Sequence, residues 1–116
     1  MAAKANKNTL IRREEKRMHE IFKNIDQNKL KIVEPLIERA AFIIVSLREL
    51  EEELRNNGWT EGYQNGANQS GVKKSAAADA HISLTKNLTA ITKQLLELAP
   101  PEQKKSRLVE MMRDGS

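Results

Sequence analysis

Apolar residues recur at helical spacing in three stretches of the chain. In the first, about Thr9 to Asp26, the residues Leu10, Ile11, Met18, Ile21, Phe22 and Ile25 fall at separations near three, four and seven. That spacing lines one face of an α-helix. Asn8 or Thr9 serves as the N-cap, and Asp26-Gln27-Asn28 breaks the pattern. The second stretch carries the strongest period. Val33, Leu36, Ala40, Ile43, Leu47, Leu50 and Leu54 alternate in steps of three and four, which is a heptad seam. Ile37, Ala41 and Ile44 widen that stripe, so this helix touches more than one neighbour. Pro35 fits a first turn, where its missing N–H does no harm, and Asn56-Asn57-Gly58 is a stop signal. The predicted helix over 33–57 is about 36 Å long at a rise of about 1.5 Å per residue.

The third stretch opens on Ser75, an N-cap with Asp79 inside the first turn. Leu84, Leu88, Ile91, Leu95 and Leu98 repeat the heptad spacing until Ala99-Pro100-Pro101 ends it. Residues 58–74 lose all periodicity and hold four of the five glycines. Asn65-Gly66 is a turn signal, but the flanks lack the alternation of a hairpin, so the segment reads as an ordered loop pinned to the helices by Trp59 and Tyr63. The predicted fold is all-α. An antiparallel helical hairpin of two long helices, 33–57 and 75–98, is joined by an N-terminal helix over 9–26. A flexible basic arm, 1–8, precedes this single helical domain over 9–101. The polar segment 102–116 follows, with Leu108, Val109, Met111 and Met112 as its sparse apolar set. It reads as a short helix on a partner or as a disordered tail.

Composition sharpens this picture in two ways. At 116 residues, one domain is the expectation, and the only aromatics are Phe22, Phe42, Trp59 and Tyr63. A core so poor in large side chains is thin, which makes helix-on-helix association between chains an expectation. No apolar run exceeds Ala40–Val45, so a transmembrane helix is not expected, and neither is a secretory signal. The absence of cysteine removes disulfides, thiolate metal sites and cysteine nucleophiles, and a reducing cytoplasmic setting fits.

Catalytic chemistry finds no constellation. The two histidines, His19 and His81, stand on separate helices with no nucleophile motif around either. Glu51-Glu52-Glu53 points in different directions on a helix and lacks the ligand spacing of a calcium loop, so it reads as a solvated face. Gly62, Gly66 and Gly71 follow no apolar strand and form neither a dinucleotide fingerprint nor a phosphate loop. The expectation is a protein with no catalytic residues, no metal, no cofactor, no small-molecule substrate and no membrane partner.

Charge is distributed unevenly. Up to Lys31 there are nine lysines and arginines against four carboxylates, then three against seven through Glu61, then eight against five. Basic ends around an acidic middle point to an anionic partner, with plain solubility as the alternative. The candidate phosphate contacts are Lys4, Lys7, Arg12, Arg13, Lys16 and Arg17, together with Lys73 and Lys74 just before a helix N-terminus. Neither a helix-turn-helix signature nor an aromatic platform for stacking bases is present.

Three runs carry a resemblance: Leu47-Arg48-Glu49-Leu50 through Asn57-Gly58; Tyr63-Gln64-Asn65-Gly66-Ala67-Asn68-Gln69-Ser70-Gly71-Val72-Lys73-Lys74-Ser75; and Lys93-Gln94-Leu95-Leu96-Glu97-Leu98-Ala99-Pro100. Over roughly residues 33–101 the chain resembles the terminase small subunits of tailed bacteriophages and prophages. The resemblance implies a non-enzymatic DNA-packaging factor in the cytoplasm of a bacterial host. Such a factor forms a homo-oligomer, a ring among the options, binds double-stranded viral DNA and regulates the terminase large subunit. Under it, the two leucine seams, 33–54 and 84–98, pack the helices and join the copies. This chain departs from the family in lacking room for a separate helix-turn-helix domain, and in having Ser75-Ala76 where relatives often place a proline. The alternative is a helical protein–protein adaptor or structural phage protein that binds no DNA.

Overall fold

The computed structural model describes residues 5–64, 66 and 69–99. The expected basic arm over 1–4, Lys4 included, and the polar segment 102–116 lie outside the described residues. The element order is α1 (Lys7–Ile21), α2 (Gln27–Asn57), β1 (Thr60–Gln64), β2 (Ser70–Lys74) and α3 (Ala76–Leu98). The protein is mostly helical, with one short two-stranded antiparallel sheet. The all-α expectation is corrected by that sheet.

Helix α1 starts two residues earlier and ends five residues earlier than the spacing predicts. Its cap is Asn6, whose Oδ1 accepts a hydrogen bond from the Thr9 backbone N–H at 2.8 Å. Lys7 and Asn8 therefore belong to the helix and not to a flexible arm. The apolar spacing runs on to Ile25, but the chain has already turned. Phe22 N–H donates to Met18 and Ile25 N–H to Phe22, so Ile25 packs on the core from a turn.

Helix α2 starts at Gln27, well before Val33. Asp26 caps it, its carboxylate accepting from the Asn28 N–H at 2.8 Å. Pro35 thus lies inside the helix and not in its first turn. The position is tolerable because Pro35 and Lys31 are both exposed, so the carbonyl that loses its N–H partner lies on the water-facing side. At the other end the Gly58 N–H donates to the Leu54 carbonyl at 2.8 Å, and Gly58 leaves with φ +82°, a conformation that residues with side chains rarely adopt.

The core forms where α1 and α3 meet α2. Met18, Ile21 and Phe22 from α1 and the turn after it pack with Val33, Ile37, Ala40, Ala41 and Ile44 from α2 and with Leu95 and Ala99 from the end of α3. Small residues at 40 and 41 let the neighbouring helices approach closely. Near the far end of α2, Glu51 meets His81 close to the start of α3. The seams are unequally covered. On α2, Val33, Ala40, Ile43, Leu47 and Leu54 are buried, whereas Leu36 and Leu50 are half-buried. Of the α3 seam only Leu95 is buried, and Leu84, Leu88, Ile91 and Leu98 stay half-buried.

The segment after α2 is a β-hairpin, which corrects the ordered loop. Five pairs hold it, from Thr60↔Lys74 at its base to Gln64↔Ser70 at its tip. The alternation that would have signalled it is missing for a physical reason. Every residue of both strands is exposed, so neither face is required to be apolar. Tyr63 packs within its own hairpin. Its ring lies across Gly71, where a Cβ would stand 3.0 Å from the Tyr63 hydroxyl. Trp59 meets the helical body edge-on to His81 with ring centroids 5.5 Å apart, and Lys74 approaches Asp79 of α3 at 3.1 Å.

Leu95→Ala removes a fully buried side chain at the junction of all three helices. It should lower unfolding free energy by about 2–5 kcal/mol. Val72→Ala, in a strand residue that is 70% exposed, should change it by less than about 0.5 kcal/mol. Urea denaturation followed by far-UV circular dichroism measures both.

Candidate nucleic-acid interface

The basic residues of α1 divide into those used by the fold and those left over. Lys7 is used. Its ammonium lies 2.8 Å from Glu49 Oε1 and 4.7 Å from the centroid of the Phe42 ring, fixing the start of α1 against α2. Arg17 is also used. Its Nε and Nη2 donate to Glu14 Oε2 at 3.0 and 2.8 Å, a two-pronged charge-assisted contact. The other carboxylate oxygen, Oε1, accepts from Arg48 Nη2 of α2 at 2.8 Å. Glu14 is buried, so this Arg17–Glu14–Arg48 bridge ties the two helices with little competition from water.

Arg12, Arg13 and Lys16 are left over. All three are exposed, and none makes an ion pair or side-chain hydrogen bond with a described residue. Lys16 stands four residues after Arg12 and three after Arg13, so the three share one helix face. Three uncompensated cations on a rigid helix create a local positive field that phosphates can neutralise.

Lys73 and Lys74 sit on β2, and consecutive strand residues point to opposite faces. Lys73 approaches Glu61 at 3.7 Å and Lys74 approaches Asp79 at 3.1 Å, all at exposed positions. The α3 N-terminus is partly filled by its own side chains. Ser75 Oγ accepts from the Ala78 N–H at 3.1 Å, and Asp79 stands in the first turn. The two lysines therefore decorate a ribbon and do not frame an open helix terminus.

The two histidines each bridge a pair of helices. His19 lies 3.3 Å from Glu34, between α1 and α2. His81 Nε2 donates to Glu51 Oε2 at 3.0 Å beside Trp59. This corrects the reading of Glu51 as part of a purely solvated face, while Glu52 and Glu53 are exposed. Among the described residues no helix is long and apolar enough to cross a membrane. Between α2 and α3 an open groove of about 660 Å³ is lined by Leu36, Phe42 and Ile43 on one side and Ala90, Ile91 and Gln94 on the other.

Helical spacing alone allows the Glu14–Arg17 pair at i,i+3, but the burial of Glu14 and its arm to Arg48 were missed, although a signal existed. Glu14 falls four residues after Leu10 and four before Met18, on the apolar stripe itself. A carboxylate there needs a cationic partner from a packed element. The chain matches no family model, no curated protein and no solved structure in the comparisons made.

Glu14→Gln keeps the shape but removes the charge that two guanidinium groups share. It should destabilise the fold by about 1–3 kcal/mol. Arg12→Gln, on the free face, should stay within about 0.5 kcal/mol of the parent. Chemical denaturation of the two variants side by side provides the check.

Proposed function

We propose that the chain is a non-enzymatic DNA-packaging factor of the terminase small-subunit type, acting in the cytoplasm of a bacterial host. In this reading it assembles with copies of itself, binds double-stranded DNA and regulates a terminase large subunit. The carrying observation is the division of the α1 cations: Lys7 and Arg17 are consumed by packing, whereas Arg12, Arg13 and Lys16 have no partner among the described residues. Exposed cations grouped on one face and backed by a packed core match the requirements of backbone-phosphate binding.

Self-association is the second part of the reading. α2 and α3 are taken as an antiparallel helical hairpin, consistent with Glu51 meeting His81 and with the early part of α2 facing the later part of α3 across the groove. The half-buried seam positions Leu36, Leu50, Leu84, Leu88, Ile91 and Leu98 then supply apolar surface to another copy. In an oligomer the triad of each copy repeats, and weak phosphate contacts add up through avidity. The groove also favours the adaptor reading, in which another protein's helix occupies it and the cations serve solubility.

Gel mobility shift of duplex DNA separates the two readings. The DNA reading predicts a shift at low salt whose log–log salt slope drops by about 2.7 in the triple variant Arg12→Ala, Arg13→Ala, Lys16→Ala, from about 0.9 per phosphate contact. Light scattering of the parent should give a mass above that of one chain. An absent shift at low salt leaves the adaptor reading.

A further inference from the structure

The groove between α2 and α3 is apolar inside and cationic at its rim. Leu36 and Ile43 from α2 and Ala90 and Ile91 from α3 line it, and Phe42, 50% exposed, stands at its edge. Both walls have the same length. Leu36 to Ile43 and Asn87 to Gln94 each cover seven helical steps, about 10 Å at about 1.5 Å per residue. That length matches a helix laid in a groove, whose apolar anchors recur at i, i+3 or i+4, and i+7. Ala90, the smallest residue of the lining, lets such a helix sit deep.

Three cations border this floor. Arg39 lines the α2 wall, three residues from both Leu36 and Phe42. Lys86 and Lys93 stand four residues before and three after Ala90, on the helix face that Ala90 shares. All three are exposed, and none makes an ion pair or side-chain hydrogen bond with a described residue. Glu38 is the one carboxylate of the lining, and Glu97 lies three residues beyond Gln94. Cations thus outnumber carboxylates and stand on both walls. The charge and the floor together narrow the occupant. Duplex phosphates would meet the cations but gain nothing from an apolar floor. An uncharged apolar helix would use the floor and leave the cations idle. An acidic amphipathic helix uses both. The acidic part of α2 in another copy fits poorly, because its apolar residues Leu47 and Leu54 are buried and Leu50 is half-buried.

We propose that the groove receives an acidic amphipathic helix of another protein, its apolar stripe on Leu36, Ile43, Ala90 and Ile91 and its carboxylates toward Arg39, Lys86 and Lys93. This docking needs neither DNA binding by α1 nor self-association, and it gives the groove of the adaptor reading an occupant of defined charge. Leu50 and Leu84, near the Glu51–His81 contact, stay available to another copy.

The test uses the whole chain and two labelled synthetic peptides of about 15 residues, a length at which helices form in water. Both carry leucine at i, i+3, i+4 and i+7; the other positions are rich in glutamate in one and in lysine in the other. Fluorescence anisotropy at low salt should show the glutamate peptide binding on the order of tenfold tighter, because three exposed charges attract one peptide and repel the other. Arg39→Glu with Lys86→Glu and Lys93→Glu should reverse that preference. Ala90→Gln, which fills the floor without adding charge, should weaken the glutamate peptide on the order of tenfold. All four substitutions lie at exposed positions, and circular dichroism should show an unchanged fold. The α1 triple variant should bind the glutamate peptide as the parent does, whatever it does to DNA binding. Equal binding of the two peptides, or none of the glutamate peptide up to about 1 mM, overturns the proposal. Loss of peptide binding in the α1 triple variant, with Ala90→Gln unaffected, overturns it by placing the peptide on α1. Displacement of the peptide by duplex DNA overturns it by making the groove a nucleic-acid surface. Peptide binding that falls as chain concentration and scattering mass rise overturns it by giving the groove to a second copy.

Discussion

Helix α2 must bury two stripes at once, and the rest of the chain is arranged to cover them. Ile37, Ala41 and Ile44 belong to one stripe, and Ala40, Ile43 and Leu47 to the other. One partner helix cannot cover an arc that wide. The chain supplies α1 and α3, and both reach the same level of α2, where Met18 and Leu95 are fully buried together with Ala40 and Ala41. Small residues in the middle helix and long ones from its neighbours produce a dense junction without large aromatics. Among the described residues the one buried carboxylate, Glu14, is matched from both helices it joins, by Arg17 of α1 and Arg48 of α2.

The parts of the fold that bury apolar surface were legible in the sequence. The seam from Val33 to Leu54 lies within one helix, and the seam from Leu84 to Leu98 within another, because burial imposes the period that the sequence displays. Boundaries were less legible, since caps compete locally. Asn6 won over Asn8 and Thr9, and Asp26 started α2 so early that Pro35 fell inside it. The ribbon was illegible for the opposite reason to the seams. With no buried face, its strands carry no alternation, and only Asn65-Gly66 marked the turn.

The candidate site shows the same division. Composition alone placed Lys7, Arg12, Arg13, Lys16 and Arg17 in one basic group. Structure separates them by partner: an aromatic face and a carboxylate hold Lys7, a buried carboxylate holds Arg17, and three cations remain facing water. Charges already engaged at short range in a packed junction contribute stability, and charges without partners are the ones that can act on another molecule. The proposed DNA contacts therefore come from the exposed face of α1, a place the core does not need.

Hydrogen–deuterium exchange with and without duplex DNA tests this division most directly. The account predicts that amides of α2 around Ala40–Ile44 exchange slowest in the free chain, and that added duplex slows exchange along 12–16 of α1 while leaving that central segment unchanged. Protection that appears instead along 36–43 and 87–94, with α1 unaffected, would contradict it and place the working surface in the groove between α2 and α3.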